Sequence, residues 1–180
     1  MKTEVRLSGS GGQGIILAGI ILAEAAGIYD EKNVVQTQSY GVQTRGGASR
    51  AEVIISDEEI VFPEVVHPDV LLVMNQASAD QFLMSLKEEG ILILDSTNVK
   101  TPAVLKSKFY QLPITELAHK AGGELVANIV ALGALAGLTG IVSEKSLREA
   151  LLRRVPKGTE ELNERALNLG LTAAKEILEK

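Results

Sequence analysis

The chain has 180 residues, 46% hydrophobic, 23% charged and 3% aromatic, with 17 glycines, no cysteine and a formal net charge of −5. Nucleic acid is excluded as a partner, because phosphate backbones demand clustered Lys and Arg and bases stack on aromatic rings. So are disulfides and a cluster of iron and sulfur held by this chain, since both need cysteine.

Taken in order, Val5-Arg6-Leu7 alternates as a short strand, and Gly9-Ser10-Gly11-Gly12-Gln13-Gly14 follows as a turn. The run Ile15 to Ala26 has Glu24 as its sole charge. A helix apolar on nearly every face is buried on nearly every face, under a partner subunit or under the chain's own C-terminal helices. Asn33 to Gln38 is a second strand. Residues 48 to 55 alternate as a half-buried strand, and Ser56-Asp57-Glu58-Glu59 turns back into a short partner strand, Ile60-Val61-Phe62, stopped by Pro63. Val70 to Met74 and Ile91 to Asp95 are continuous apolar runs suited to central parallel strands, with an amphipathic helix over Ala77 to Glu88 between them.

Phe109 to Leu112 is a further strand, ahead of helices over Ile114 to Ala121 and Leu125 to Leu138. Gly133 and Gly137, one turn apart, permit close approach of another helix. Ser143 caps a helix over Glu144 to Arg154, and Thr159 starts the last, to about Leu178. The predicted fold is a single Rossmann-like α/β domain over 1–180. Its sheet is mainly parallel, with an inserted antiparallel strand pair and helices on both faces. The N-terminus lacks a signal-peptide core and no apolar run reaches roughly 18 residues, so a cytoplasmic protein without membrane contact is expected.

Strand, glycine turn and helix are the layout that a phosphate-binding turn requires, because the helix N-terminus supplies unpaired N–H groups. Gly9, Gly11 and Gly14 fit the G-x-G-x-x-G spacing of dinucleotide folds, but such folds also need an acid closing the second strand. Here that strand ends in Thr37-Gln38, and Asp30 and Glu31 precede it, which disfavours an NAD site. His67 and His119 have no partner at triad or metal-site spacing, and no serine lies in a nucleophile elbow. Asn128, alone and polar in an apolar helix, reads as a core amide bracing a loop.

The second glycine-bearing stretch runs Thr37-Gln38-Ser39-Tyr40-Gly41-Val42-Gln43-Thr44-Arg45-Gly46-Gly47 and continues into Ala48-Ser49. Together with the Gly9–Gly14 turn, Val53-Ile54-Ile55-Ser56, Ile60 to Pro63, Pro68-Asp69 and Asn128-Ile129-Val130-Ala131-Leu132-Gly133, it resembles the gamma subunit of the 2-oxoacid:ferredoxin oxidoreductases. The wording of residues 37–49 resembles the 2-oxoglutarate branch more than the pyruvate branch. The loop departs from that family at Val42-Gln43-Thr44, where a proline and an acidic residue are more usual.

The resemblance implies an accessory subunit of a complex that oxidatively decarboxylates 2-oxoglutarate to succinyl-CoA and reduces ferredoxin. It implies alpha and beta subunits, or alpha, beta and delta, as partners. Thiamine diphosphate, Mg and iron–sulfur clusters then sit on those partners, and coenzyme A is the co-substrate. No catalytic or metal residue is expected in this chain. Gly9, Gly11, Gly12, Gln13, Gly14, Gln38, Ser39, Tyr40, Gly41, Arg45, Gly46 and Gly47 are the expected ligand or subunit-interface loops. Arg45 is suited to a phosphate, a carboxylate or an acidic neighbour. The alternatives are a subunit acting on pyruvate, branched-chain 2-oxoacids or arylpyruvates, and a stand-alone nucleotide-binding oxidoreductase.

Overall fold

The computed structural model describes residues 1–39, 48–103 and 105–180. Strands β1 (Lys2–Ser10), β2 (Asn33–Ser39), β3 (Ala48–Ser56), β4 (Val70–Val73), β5 (Ile91–Asp95) and β6 (Lys108–Leu112) form one sheet in the order β2-β3-β1-β4-β5-β6. The β1–β4, β4–β5 and β5–β6 pairs are parallel, and β3 runs antiparallel to both of its neighbours. Strand β2 therefore runs in the direction of β1, with β3 lodged between them.

Alternation along the strands divides two layers unequally. Val5, Leu7, Ala51, Val53 and Ile55 face the larger layer. It holds α1 (Ile15–Glu24), α3 (Ile114–Ala121), α4 (Ala127–Thr139), α5 (Glu144–Arg154) and α6 (Glu160–Leu178). The other face is covered by α2 (Gln76–Phe82), a 3-10 turn at Leu83–Ser85 and the irregular segment 57–68. Helix α1 and its π-helical continuation Ala25–Tyr29 pack on β3 and under α5, so the chain's own C-terminal helices cover much of that apolar run. Gly19 makes the approach to β3 possible, since a Cβ there would lie 2.6 Å from the Ala51 Cβ.

Helices α4 and α6 approach more closely still. A Cβ on Gly170 would overlap the Val130 carbonyl, and one on Gly133 the Leu167 carbonyl. The contact expected of Gly133 and Gly137 is thus made by α6, which supplies its own glycine at the crossing.

A buried arginine organises the thinner face. Arg6, 4% exposed, donates from Nε to Glu52 Oε1 (2.8 Å), from Nη1 to Ser85 Oγ (2.7 Å) and from Nη2 to the Val65 carbonyl (2.7 Å). Its guanidinium also lies 5.3 Å from the Phe82 ring centroid. One side chain so ties β1 to β3, to the end of α2 and to the 57–68 segment.

Two expected elements differ. Ile60–Phe62 is not a strand, because β3 already has β1 and β2 on its two edges and offers no third. The antiparallel pairings are those of β3 with β1 and with β2 instead. The helix expected to reach Glu88 ends at Phe82. Ser85 Oγ donates to the Phe82 carbonyl (2.6 Å) while accepting from Arg6, and Leu86 is extended.

Replacing Gly170 by alanine forces a methyl against backbone that cannot yield. An overpacking cost of about 2 kcal/mol or more is expected in urea unfolding of the isolated chain. At the base of the sheet, Lys32 and the Met1 amino group both donate to Asp57 and hold its carboxyl down to about 2. The folded carboxyl titrates below its ordinary 3.8, so this stabilisation is present above that value and is lost as pH falls towards 2. Carboxyl-detected NMR titration should give that low midpoint, and Lys32→Met should move it upward.

Candidate functional site

The site lies at the edge of the sheet where β1, β2, β4, β5 and β6 all end. In register, Ser10 faces Ala48, Gly9 faces Ser49, and Ser39 faces Arg50. Ala48 therefore lies beside the start of the Gly9–Gly14 turn, with Ser39 on the next strand over. Tyr40, Gly41, Arg45, Gly46 and Gly47 themselves lie outside the described residues. Gln38 and Ser39 close β2, Gln38 on the side of the larger helical layer and Ser39 on the other.

The turn is held from within. Ser10 N–H donates to Gln13 Oε1 (2.7 Å), Gln13 N–H returns to the Ser10 carbonyl (3.2 Å), and Gln13 Nε2 donates to the Met74 carbonyl at the end of β4 (3.3 Å). Gln13 is thus a brace between turn and neighbouring strand. Gly9 has to be glycine for it, since a Cβ there would lie 2.5 Å from Gln13 Oε1. Gly14 takes φ +70° and caps α1 with no side chain. Its carbonyl accepts from Ala18 N–H (3.0 Å) and from Asn128 Nδ2 (3.1 Å). Asn128 is 4% exposed, and its Oδ1 is buried without a hydrogen-bond partner among the described residues.

The product is a helix N-terminus with no side-chain cap and no acidic residue in its first turn. It opens on a hollow of about 290 Å³ lined by Ser10, Gly11, Gly12, Ile15, Leu17 and Ser49, among others. The N–H groups of the helix's first turn and the positive end of its dipole make this an anion-binding geometry. The acid that a nicotinamide dinucleotide requires is absent here as well. Asp30 accepts instead from Ser143 N–H (2.9 Å), Ser143 Oγ (2.9 Å) and Ser146 Oγ (2.6 Å) at the start of α5. Burial alone would raise its carboxyl; these hydrogen bonds overcome that and lower it.

His67 places Nδ1 3.0 Å from the Ser85 carbonyl, and His119 is exposed in the last turn of α3. Neither approaches the turn. Among the described residues no three His, Cys, Asp or Glu side chains gather as metal ligands, and with no cysteine the chain does not fit an iron–sulfur cluster. Sequence reasoning passed over Arg6, Glu52 and Arg50. The available signal was three charges at inward positions of paired strands. Arg50 lies 5.8 Å from the Phe82 centroid and 3.8 Å from Glu52 Oε1, whose stronger partner is Arg6.

Gly14→Ala combines a left-handed backbone with overlap on the Asn128 amide. It should destabilise the chain by about 2 kcal/mol or more. Among the described residues nothing lies within 4 Å of a Cβ placed on Gly11, so Gly11→Ala should leave the unfolding midpoint nearly unchanged. Urea titration of the two variants side by side checks both.

The pyruvate ferredoxin/flavodoxin oxidoreductase family model matches residues 4–173. The 2-oxoglutarate synthase subunit KorC of Methanocaldococcus jannaschii is 49% identical, over 98% of this chain and 96% of its own. Pyruvate synthase subunit PorC of the same organism is 32% identical over 98% of both chains. Among solved structures, the keto/oxoacid ferredoxin oxidoreductase gamma subunit of Geobacter sulfurreducens superposes with TM-score 0.87 at 46% identity, covering 97% of this chain and 99% of its own. The 2-oxoglutarate:ferredoxin oxidoreductase of Magnetococcus marinus, solved with 2-oxoglutarate, coenzyme A and succinyl-CoA, also gives 0.87, at 25% identity. It covers 97% of this chain but 31% of that one, so the same fold is there part of a longer polypeptide. With a family model spanning nearly its whole length and a half-identical KorC relative, this chain belongs to the pyruvate ferredoxin/flavodoxin oxidoreductase family, as a gamma-type subunit.

Proposed function

We propose that this chain, acting as one unit over 1–180, is the gamma subunit of a cytoplasmic 2-oxoglutarate:ferredoxin oxidoreductase. The complex would oxidise 2-oxoglutarate to carbon dioxide and an acyl group captured by coenzyme A as succinyl-CoA. The two electrons released go to ferredoxin. The observation that carries the substrate branch is the contrast within one organism, 49% identity to the KorC subunit against 32% to PorC.

The clusters are assigned to the alpha and beta subunits, or to alpha, beta and delta, since this chain has no thiolate, and thiamine diphosphate and its Mg ion are assigned to those subunits with them. Thiamine diphosphate supplies the stabilised carbanion of decarboxylation. This chain's contribution is placement. The N-terminus of α1, at the end of the sheet where Ser10 pairs with Ala48, offers positive potential to coenzyme A phosphates. Arg45 adds a guanidinium suited to bidentate phosphate contact.

The test is to purify a C-terminally tagged chain anaerobically from its own host. Larger subunits carrying thiamine diphosphate and iron should come with it and reduce ferredoxin with 2-oxoglutarate in a coenzyme A-dependent way. Pyruvate, branched-chain 2-oxoacids and arylpyruvates should be poorer substrates. In that complex Arg45→Ala should raise the KM for coenzyme A by roughly tenfold or more, the worth of a charge-assisted hydrogen bond, and leave thiamine content unchanged. A lone chain carrying a nicotinamide or flavin would refute the assignment. An Arg45→Ala complex with unaltered assembly and coenzyme A kinetics would refute the role of Arg45.

A further inference from the structure

The two faces of the sheet are finished differently. The larger layer ends in charged outer sides of α5 and α6, with Glu144, Lys145, Glu149, Glu161 and Lys175 exposed. Over the thinner face, Val61 is 88% exposed and Met84 92%, and Phe62 and Val66 are each exposed by more than half. These are four of the ten exposed large hydrophobic side chains among the described residues, drawn from two short stretches.

The Arg6 hub anchors both stretches. Val65, held through its carbonyl, is flanked by Val66 and lies close to Val61 and Phe62 in sequence. Ser85, held through its hydroxyl, adjoins Met84, and the His67 ring reaches the Ser85 carbonyl. Burying a charge pair is costly, and what this pair achieves is a fixed shape in a segment with no ladder of its own. A fixed, irregular, apolar surface is built for contact.

The hub is also electrically incomplete. Glu52 serves Arg6 at 2.7–2.8 Å and is further engaged by Thr37 Oγ1 (3.4 Å), which leaves Arg50 a distant ion pair at 3.8 Å. Arg50 stands where an incoming carboxylate would complete the set, and Glu58, Glu59 and Glu64, all exposed, border the apolar residues with negative charge.

The geometry points to this face as the docking surface for the subunit that, in the longer Magnetococcus marinus chain, is continuous with the same fold. There a peptide bond holds the module to the remainder of the polypeptide. In a gamma subunit that is a chain of this length, as that of Geobacter sulfurreducens is, surface contact has to hold it. The matching patch on that subunit is apolar at its centre, basic opposite Glu58–Glu64, and carries a carboxylate for Arg50. This inference rests on the gamma-subunit reading above.

The test uses the complex, with the tagged chain co-expressed with its larger subunits and with affinity and size-exclusion mass as readouts. The combined variant Val61→Asp/Phe62→Asp/Met84→Asp should weaken association at least thirtyfold, while Leu125→Asp, 89% exposed and elsewhere, should leave it unchanged. Arg50→Glu should weaken it tenfold, with Arg50→Lys recovering most of the loss. If the combined variant unfolds, Val61→Asp/Met84→Asp, with both side chains out in solvent, takes its place. Wild-type affinity in a folded variant, or an equal loss in Leu125→Asp, overturns the inference while the functional reading stands. A wild-type chain that recovers no thiamine-containing subunit overturns the functional reading, and this surface with it.

Discussion

Strand β3 bonds along its length to β1 on one side and to β2 on the other, and this double pairing decides where everything functional lies. Nine residues face β1 and seven face β2, so a slip by one would reverse every side chain on β3. The pairing lodges β3 between β1 and β2, two strands that a plain β–α–β unit would place side by side. One end of β3, at Ala48, then lies beside the end of β1 that leads into the glycine turn. The other end sends 57–68 across the thinner face. The surroundings of the turn and the exposed surface are both consequences of a single register.

The register also sets Arg6 opposite Glu52, which makes a buried charge pair tolerable. Such a pair contributes little to net stability, because desolvation offsets most of the attraction, yet removing either partner strands the other at a cost of about 3–5 kcal/mol. Its effect is on shape. By spending three donors on Glu52, Ser85 and Val65, Arg6 ends α2 early and fixes a stretch that hydrogen-bonded strands cannot reach. The glycine crossing of α4 and α6 achieves rigidity on the other face by the opposite route, through backbone contact with no polar group involved.

Local signals were legible where punctuation was local. Pro113 and Gly122 bound α3, and Ser143 does cap α5, accepting from Ser146 N–H at 3.1 Å. Central strands announced themselves as unbroken apolar runs at Val70–Val73 and Ile91–Asp95. The readings that differed depended on partners distant in sequence. Ile60–Phe62 has strand composition, and what denies it a strand is the occupancy of both β3 edges. Ala77–Glu88 has helix periodicity, and what shortens it is an arginine some 79 positions earlier in the chain. Arg6 itself sits in an alternating strand, where a charged residue ordinarily marks the wet side; a second covered face reverses that meaning. The glycine turn was legible as a turn. That Gln13 is committed to bracing it was not, because the Met74 carbonyl it reaches belongs to another strand.

The division of labour inside the turn bears on what such a subunit can be. Gln13 is consumed by Ser10 and Met74, and Asn128 gives its amide hydrogens to Gly14. Both of these side chains are thus scaffolding. What they hold open is the backbone N–H array of the first turn of α1, which donates charge stabilisation but transfers no proton and forms no bond. A site of that kind acts on something another subunit brings to it. Its demand is accurate placement against a neighbour, which a peptide linkage or a docked surface can meet equally well. That equivalence explains how one fold serves both as a separate chain of this length and as part of a longer one.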